Sequence, residues 1–375
     1  MKKYRYSETK KLNKPKIAVC ILLLGWFLLN EPSEEKDIFF EVTSQMVPLL
    51  TYGQEYGNQE IDYATTYEVP DWFYEDEGEL PVNGDIVTME ETEPQEEENV
   101  TTLADGVKGT VYTREQMNDS AFLLNKIFVV DTNTSMTEEE LSLSNLLDQD
   151  LSVENLKTSV ESIDEAAPKI LIYHTHASEA FVDSREGCVE DTIVGVGAYL
   201  KELLENQYGI PVYHDTTTYD VIDGVLDRSK AYENSYNGVS QILKDNPSIE
   251  VVIDLHRDGV DEETHLVTEI NGKKTAKIMF LNGVSRSTMN GEIAYLENPN
   301  KLTNLAFSFQ MYLTGKEHYG DYVRKIYVRS LRYNLHVMPR ATLIEVGAQN
   351  NTIQEEKNAM EPLAAILDKV LSKKE

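Results

Sequence analysis

Val251-Val252-Ile253-Asp254-Leu255-His256-Arg257-Asp258-Gly259 is an apolar run that ends in charged residues, an imidazole and a glycine. A short run of β-branched and aliphatic residues closed in this way reads as a buried strand. Two other runs end alike: Ile170-Leu171-Ile172-Tyr173 leads into His174-Thr175-His176, and Thr342-Leu343-Ile344 into Glu345-Val346-Gly347. Further out, strand-like runs at 210–213 and 277–281 alternate with helical patterns over 192–208, 230–244, 301–313 and 352–371. The last of these puts Ile353, Met360, Leu363, Ile366, Leu367 and Val370 on one face. Alternating strands and helices predict an α/β domain, with a mostly parallel central sheet flanked by helices, over residues 120–373. An apolar cluster at 122–130 and a helix-like stretch at 137–147 open it.

The N-terminal third has a different character. Residues 1–16 hold seven Lys and Arg against Glu8, and an apolar run from Ile17 to Leu29 follows at once. Those 13 residues are fewer than the roughly 17–25 of a typical bilayer span. With no small-residue cleavage site after them, they read as an uncleaved transmembrane anchor at 17–30. The basic block places the tail 1–16 in the cytoplasm and the rest of the chain outside, in a single-pass bacterial membrane protein. From 31 to 100 there are 21 acids against Lys36 alone, so most of the formal charge of −31 resides there. Residues 31–115 therefore read as an acidic, disordered linker that holds the domain away from the membrane. No basic footprint exists beyond the tail, which excludes nucleic acid as a partner. Cys20 and Cys188 fall on opposite sides of the membrane boundary and cannot pair within one chain.

In a parallel sheet, ligands and reactive groups collect beyond the carboxyl ends of the strands, which is where the three polar endings lie. Three of the seven histidines occupy two such ends. Zinc accepts imidazole and carboxylate, and a catalytic zinc keeps three protein ligands and an open position. His176 and His256 are thus candidate metal ligands, and His174 joins them if its strand continues. Glu179 and Glu190 are the candidate acids for a third ligand. Glu345, in an otherwise apolar strand, is either an edge residue or a base. Arg257 and Asp258 either pair with each other or meet substrate carboxylates. His214, His265, His318 and His336 read as surface or loop residues. The sequence contains no nucleophile elbow, phosphate loop or Cys/His pair.

Residues 172–179 (Ile-Tyr-His-Thr-His-Ala-Ser-Glu), 253–259 (Ile-Asp-Leu-His-Arg-Asp-Gly) and 343–347 (Leu-Ile-Glu-Val-Gly) resemble the stage II sporulation protein P family. These are cell-wall hydrolases that remodel peptidoglycan during engulfment in spore-forming Firmicutes. The resemblance covers roughly 120–373, and the anchor and linker suit the family's layout. It implies N-acetylmuramoyl-L-alanine amidase activity, endopeptidase activity on stem peptides, and kinship with zinc amidases. In those enzymes a His after the first strand, a Glu about 14 residues on and a second His bind zinc. Carried onto this chain, the ligands are His176, Glu190 and His256, with Glu345 as the catalytic acid, and Glu190 moves ahead of Glu179. Where the family reads Tyr-Asn-Gln, this chain has Tyr333-Asn334-Leu335. The resemblance further implies peptidoglycan as substrate, the space between mother cell and forespore as location, and a lytic transglycosylase, stage II sporulation protein D, as partner. The alternatives are an inactive peptidoglycan- or partner-binding membrane protein, and another zinc peptidase such as a carboxypeptidase.

Overall fold

Seven strands form the central sheet: β1 (Phe128–Val130), β2 (Ile170–Tyr173), β3 (Val212–His214), β4 (Val251–Asp258), β5 (Ile278–Gly283), β6 (Ile326–Arg329) and β7 (Ala341–Ala348). This computed structural model describes residues 99–102, 108–222 and 224–373, all within the unit Asp71–Glu375. The basic tail, the apolar run and the linker as far as residue 98 lie outside the described residues. Among those described, no helix is long and apolar enough to cross a membrane.

Across the sheet the order is β1-β6-β5-β7-β4-β2-β3. Five of the six pairings are parallel, and β5 runs antiparallel to β7. The mostly parallel α/β architecture expected from the alternation is present. β6, however, was not legible, and β4 and β7 run past their apolar stretches, because their polar ends continue the same ladder.

Alternate residues of each strand feed opposite faces. Val251, Ile253 and Leu255 of β4 and Ile344 and Val346 of β7 enter a large core with α1 (Ile193–Tyr208), α3 (Lys301–Tyr319) and α4 (Ile353–Leu371). Val252, Leu343, Leu281 and Tyr327 enter a smaller one, closed by Val239 of α2 (Ala231–Asp245). Three helices cover one face and a single helix covers part of the other. That asymmetry leaves a cleft over Leu281 and Leu343.

Two expectations need correcting here. Residues 137–147 form turns and one short helix, Leu143–Leu146, instead of a continuous helix. Glu140, which a helix would have carried, is buried and receives both Nη groups of Arg286, at 2.7 and 2.8 Å. Ordered structure also starts inside the stretch 31–115 that was read as a linker. There Asn99–Thr102 pairs antiparallel with Lys108–Val111, and a capped turn of helix, Arg114–Met117, follows. The β-branched residues Val100, Thr101, Thr102, Thr110 and Val111 supply the strand propensity.

Candidate active site

Asp254 is the organising group. It lies on the same face of β4 as His256 and is fully buried. Its Oδ1 accepts from the Thr175 amide at 2.9 Å, its Oδ2 from the Thr175 hydroxyl at 2.7 Å, and His256 Nε2 is 2.8 Å from Oδ1. Thr175 Oγ1 is 3.0 Å from Ser235 Oγ, to which Asn334 Nδ2 donates, also at 3.0 Å. A buried polar chain thus ties β2, β4, α2 and the Tyr333-Asn334 turn together. That chain holds the Asp254 carboxylate in place beside the imidazole of His256.

His176 follows β2, where the chain turns so that the Glu179 amide donates to its carbonyl at 3.1 Å. Its ring stands perpendicular to that of His256, centroids 5.3 Å apart, and edge-on to Tyr232 at 5.6 Å. Glu179 is buried; its Oε2 accepts from the Arg257 amide at 3.0 Å and lies 3.6 Å from His256 Nδ1. Burial opposes ionisation of Glu179, but the nearby charge of His256 outweighs it and holds the carboxyl low. Burial likewise opposes the charge on His256, and Asp254 and Glu179 overcome it, raising that imidazole well above its usual range. Glu345 stands beside His256 because their Cα atoms are register partners on β7 and β4. Its Oε2 is buried with no hydrogen-bond partner. Burial first, then the charge of Asp258, pushes its carboxyl up to about 8.

His176, Glu179, His256 and Glu345 line one cleft, with Tyr232, Tyr333, Arg228, Arg257 and Arg329 around them. Glu190 does not line it. It is exposed, in the turn before α1, and accepts from Cys188 Sγ at 3.2 Å. The ion pair of Arg185 with Asp191 folds the 185–191 loop on itself and leaves the Glu190 side chain in solvent. The acid three residues past His176 therefore lines the cleft, whereas Glu190, which the resemblance put ahead of it, does not. His174 faces the other side of the sheet. Its Nδ1 must donate to the Leu255 carbonyl, 2.8 Å away, so its Nε2 accepts from His214 Nε2 at 2.9 Å. His214, expected at the surface or in a loop, is half-buried and paired with the buried His174.

Asp258 pairs with Arg324 at 2.6 Å, both buried, rather than with the Arg257 guanidinium, which donates to the carbonyls of Ala180 and Asp258. Leu335, at the position where Gln was expected, packs into the smaller core. Asp254 carries the same sequence signal as Glu345, an acid inside an apolar run. Arg228, Tyr232 and Arg329 carried no local signal.

Two imidazoles and a carboxylate are a zinc-type donor set. Ligands sharing one tetrahedral zinc, with bonds of about 2.0–2.2 Å, lie roughly 3.3–3.6 Å apart, and the 3.6 Å between His256 Nδ1 and Glu179 Oε2 is such a separation. Among the described residues no three His, Cys, Asp or Glu side chains are already closed into a metal-holding group.

Residues 83–368 match the family described as stage II sporulation protein P. A curated relative, stage II sporulation protein P of Bacillus subtilis strain 168, is 22% identical over 236 residues, which cover 58% of this chain and 57% of the relative. The chain therefore spans little more than half the length of that relative. Among solved structures, the N-acetylmuramoyl-L-alanine amidase AmiC2 of Nostoc punctiforme is similar at a TM-score of 0.33 and 12% identity, covering 54% of this chain and 97% of that one. The CwlD amidase of Clostridioides difficile, solved in complex with the GerS lipoprotein, is similar at 0.31 and 13%, covering 54% and 98%.

Proposed function

The chain belongs to the stage II sporulation protein P family, and on that premise we propose that it is a zinc-dependent peptidoglycan hydrolase, an N-acetylmuramoyl-L-alanine amidase with endopeptidase activity on stem peptides. The observation that carries this reading is the meeting of His176, Glu179, His256 and Glu345 in one cleft at the carboxyl ends of β2, β4 and β7. The basic block at 1–16 and the apolar run at 17–29 support anchoring in the cell membrane with the domain outside the cytoplasm. Family membership supports action on the wall during sporulation, beside a lytic transglycosylase of the stage II sporulation protein D type.

His176, His256 and Glu179 would hold the metal. Bound there, zinc supplies charge to polarise the scissile carbonyl and brings a water toward a pKa of about 7. Asp254 keeps His256 oriented, and the Arg257 amide keeps Glu179 in place. Glu345, a carboxyl with one unengaged oxygen beside His256, takes a proton from the attacking water and returns it to the leaving nitrogen. The open face over Leu281 and Leu343 lets a polymer approach.

Digestion of purified sacculi by the full chain, with products identified by mass spectrometry, tests this. The expected product is glycan stripped of stem peptides. Glu345→Gln should slow release by about 10²- to 10⁴-fold, and a chelator should abolish it until zinc is restored. Stems that stay attached but shortened would show a carboxypeptidase. Intact sacculi under all conditions would leave a binding module, a reading that the assembled cleft residues count against.

A further inference from the structure

Among the described residues two arginines that line the cleft have no carboxylate partner: Arg257, whose guanidinium donates to the carbonyls of Ala180 and Asp258, and Arg228. Glu179 is engaged by the Arg257 amide and His256. Asp258 is held by Arg324. Arg329 lies 3.7 Å from Asp131 and spreads over the rings of Tyr327 and Tyr333, at 5.5 and 5.6 Å. Arg228 lines the same cleft, yet its Nε is buried with no hydrogen-bond partner among the described residues. The neighbouring acid, Asp227, is occupied by the Ser229 amide and hydroxyl. Arg228 opens the turn Arg228–Lys230 that runs into α2. It stands four residues before Tyr232, the ring packed against His176. An arginine that is half-buried and unmatched is costly, and the group that best relieves it is a carboxylate, which can take two parallel N–H donors.

We propose that Arg228 binds a carboxylate of the substrate, so that the cleft selects stem peptides with a free side-chain or terminal carboxylate over the same stems in amidated form. This rests on the proposed function and names the part of the substrate that decides fit. The cleft acids Glu179 and Asp258 do not compete for Arg228, because each already has its own partner.

The test is calorimetric binding to the full chain carrying Glu345→Gln, so that ligand is not consumed. The probes are a disaccharide-peptide with free stem carboxylates and its carboxamide counterpart. The free acid should bind about tenfold tighter or more, as charged hydrogen bonds allow. Adding Arg228→Met should bring that ratio to about one, and Arg228→Lys should retain part of it. Equal binding of both probes by the parent overturns the assignment. So does an Arg228→Met variant that weakens both probes in proportion, which marks a structural role. If neither probe binds the parent at all, the peptidoglycan reading itself falls; binding without carboxylate preference sinks Arg228 alone.

Discussion

Three buried carboxyls near the cleft show how local partners set their charge. Asp254 receives two donors from Thr175 and faces His256, and although burial opposes it, these contacts hold its pKa below the usual value. Glu345 has one oxygen without a partner and is raised to about 8. Glu356, in the first turns of α4, has neither oxygen engaged, and an alanine methyl at Gly347 would sit 1.9 Å from its Oε1. Burial above all, and then the charge of Glu355, lifts Glu356 well above its usual range, against a weaker opposing pull from Arg257. The unfolded chain therefore releases this proton near pH 4.5 while the folded one keeps it. Above that pH the unfolded state binds fewer protons, so stability falls as pH rises, by at most about 1.4 kcal/mol per pH unit. The contribution is fully present only below pH 4.5. Glu356→Gln cannot ionise, so in urea unfolding with chelator present it should gain on the wild type between about pH 5 and about pH 8. A difference that stays constant across that window would show that Glu356 titrates normally in the fold.

Elements were legible where their signal is local. α1 and α4 are legible by their helical pattern, and in the fold the hydroxyls of Thr192 and Thr352 cap their first turns. β6 escaped because its four residues follow Arg324 and Lys325, and a basic pair gives no hint that one of the two is buried against Asp258. His176, His256 and Glu345 could be read as strand-end groups. That Glu179 and not Glu190 lines the cleft could not be read from the sequence, since it depends on how the 185–191 loop closes. The placement of His174 is likewise a matter of packing: α1 approaches β2 so closely that a Cβ at Gly197 would lie 2.7 Å from the His174 ring and 2.9 Å from His214 Nε2. Gly197→Ala is expected to destabilise the fold by about 1–3 kcal/mol through overpacking. Combined with His174→Ala, it should cost clearly less than the two single changes added together, because the methyl then has room. Additive costs in a double-mutant cycle would place the strain elsewhere than the His174–His214 pair.

For the molecule as a whole, the two cores are one cooperative structure, since they share every strand that carries the site. Val252 and Asp254 face one side of β4 while Ile253 and Leu255 face the other, and β7 divides in the same way at Leu343 and Ile344. Losing either face would strip half of the burial from strands that hold His256 and Glu345 in register. The cleft should therefore keep its geometry until the sheet unfolds globally, although only α2 covers that side. Val239→Ala, a change in the smaller core alone, removes buried methyl groups and should cost about 1–3 kcal/mol. Native-state hydrogen exchange should show that cost in full at the amides of β4 and β7. It should also appear in α4, which packs on the opposite face and never touches the smaller core. If protection falls only in α2 and the turns around it, the covered face opens by itself. His256 and Glu345 would then owe their alignment to the larger core, with the polar chain from Asn334 to Asp254 closing on them afterwards.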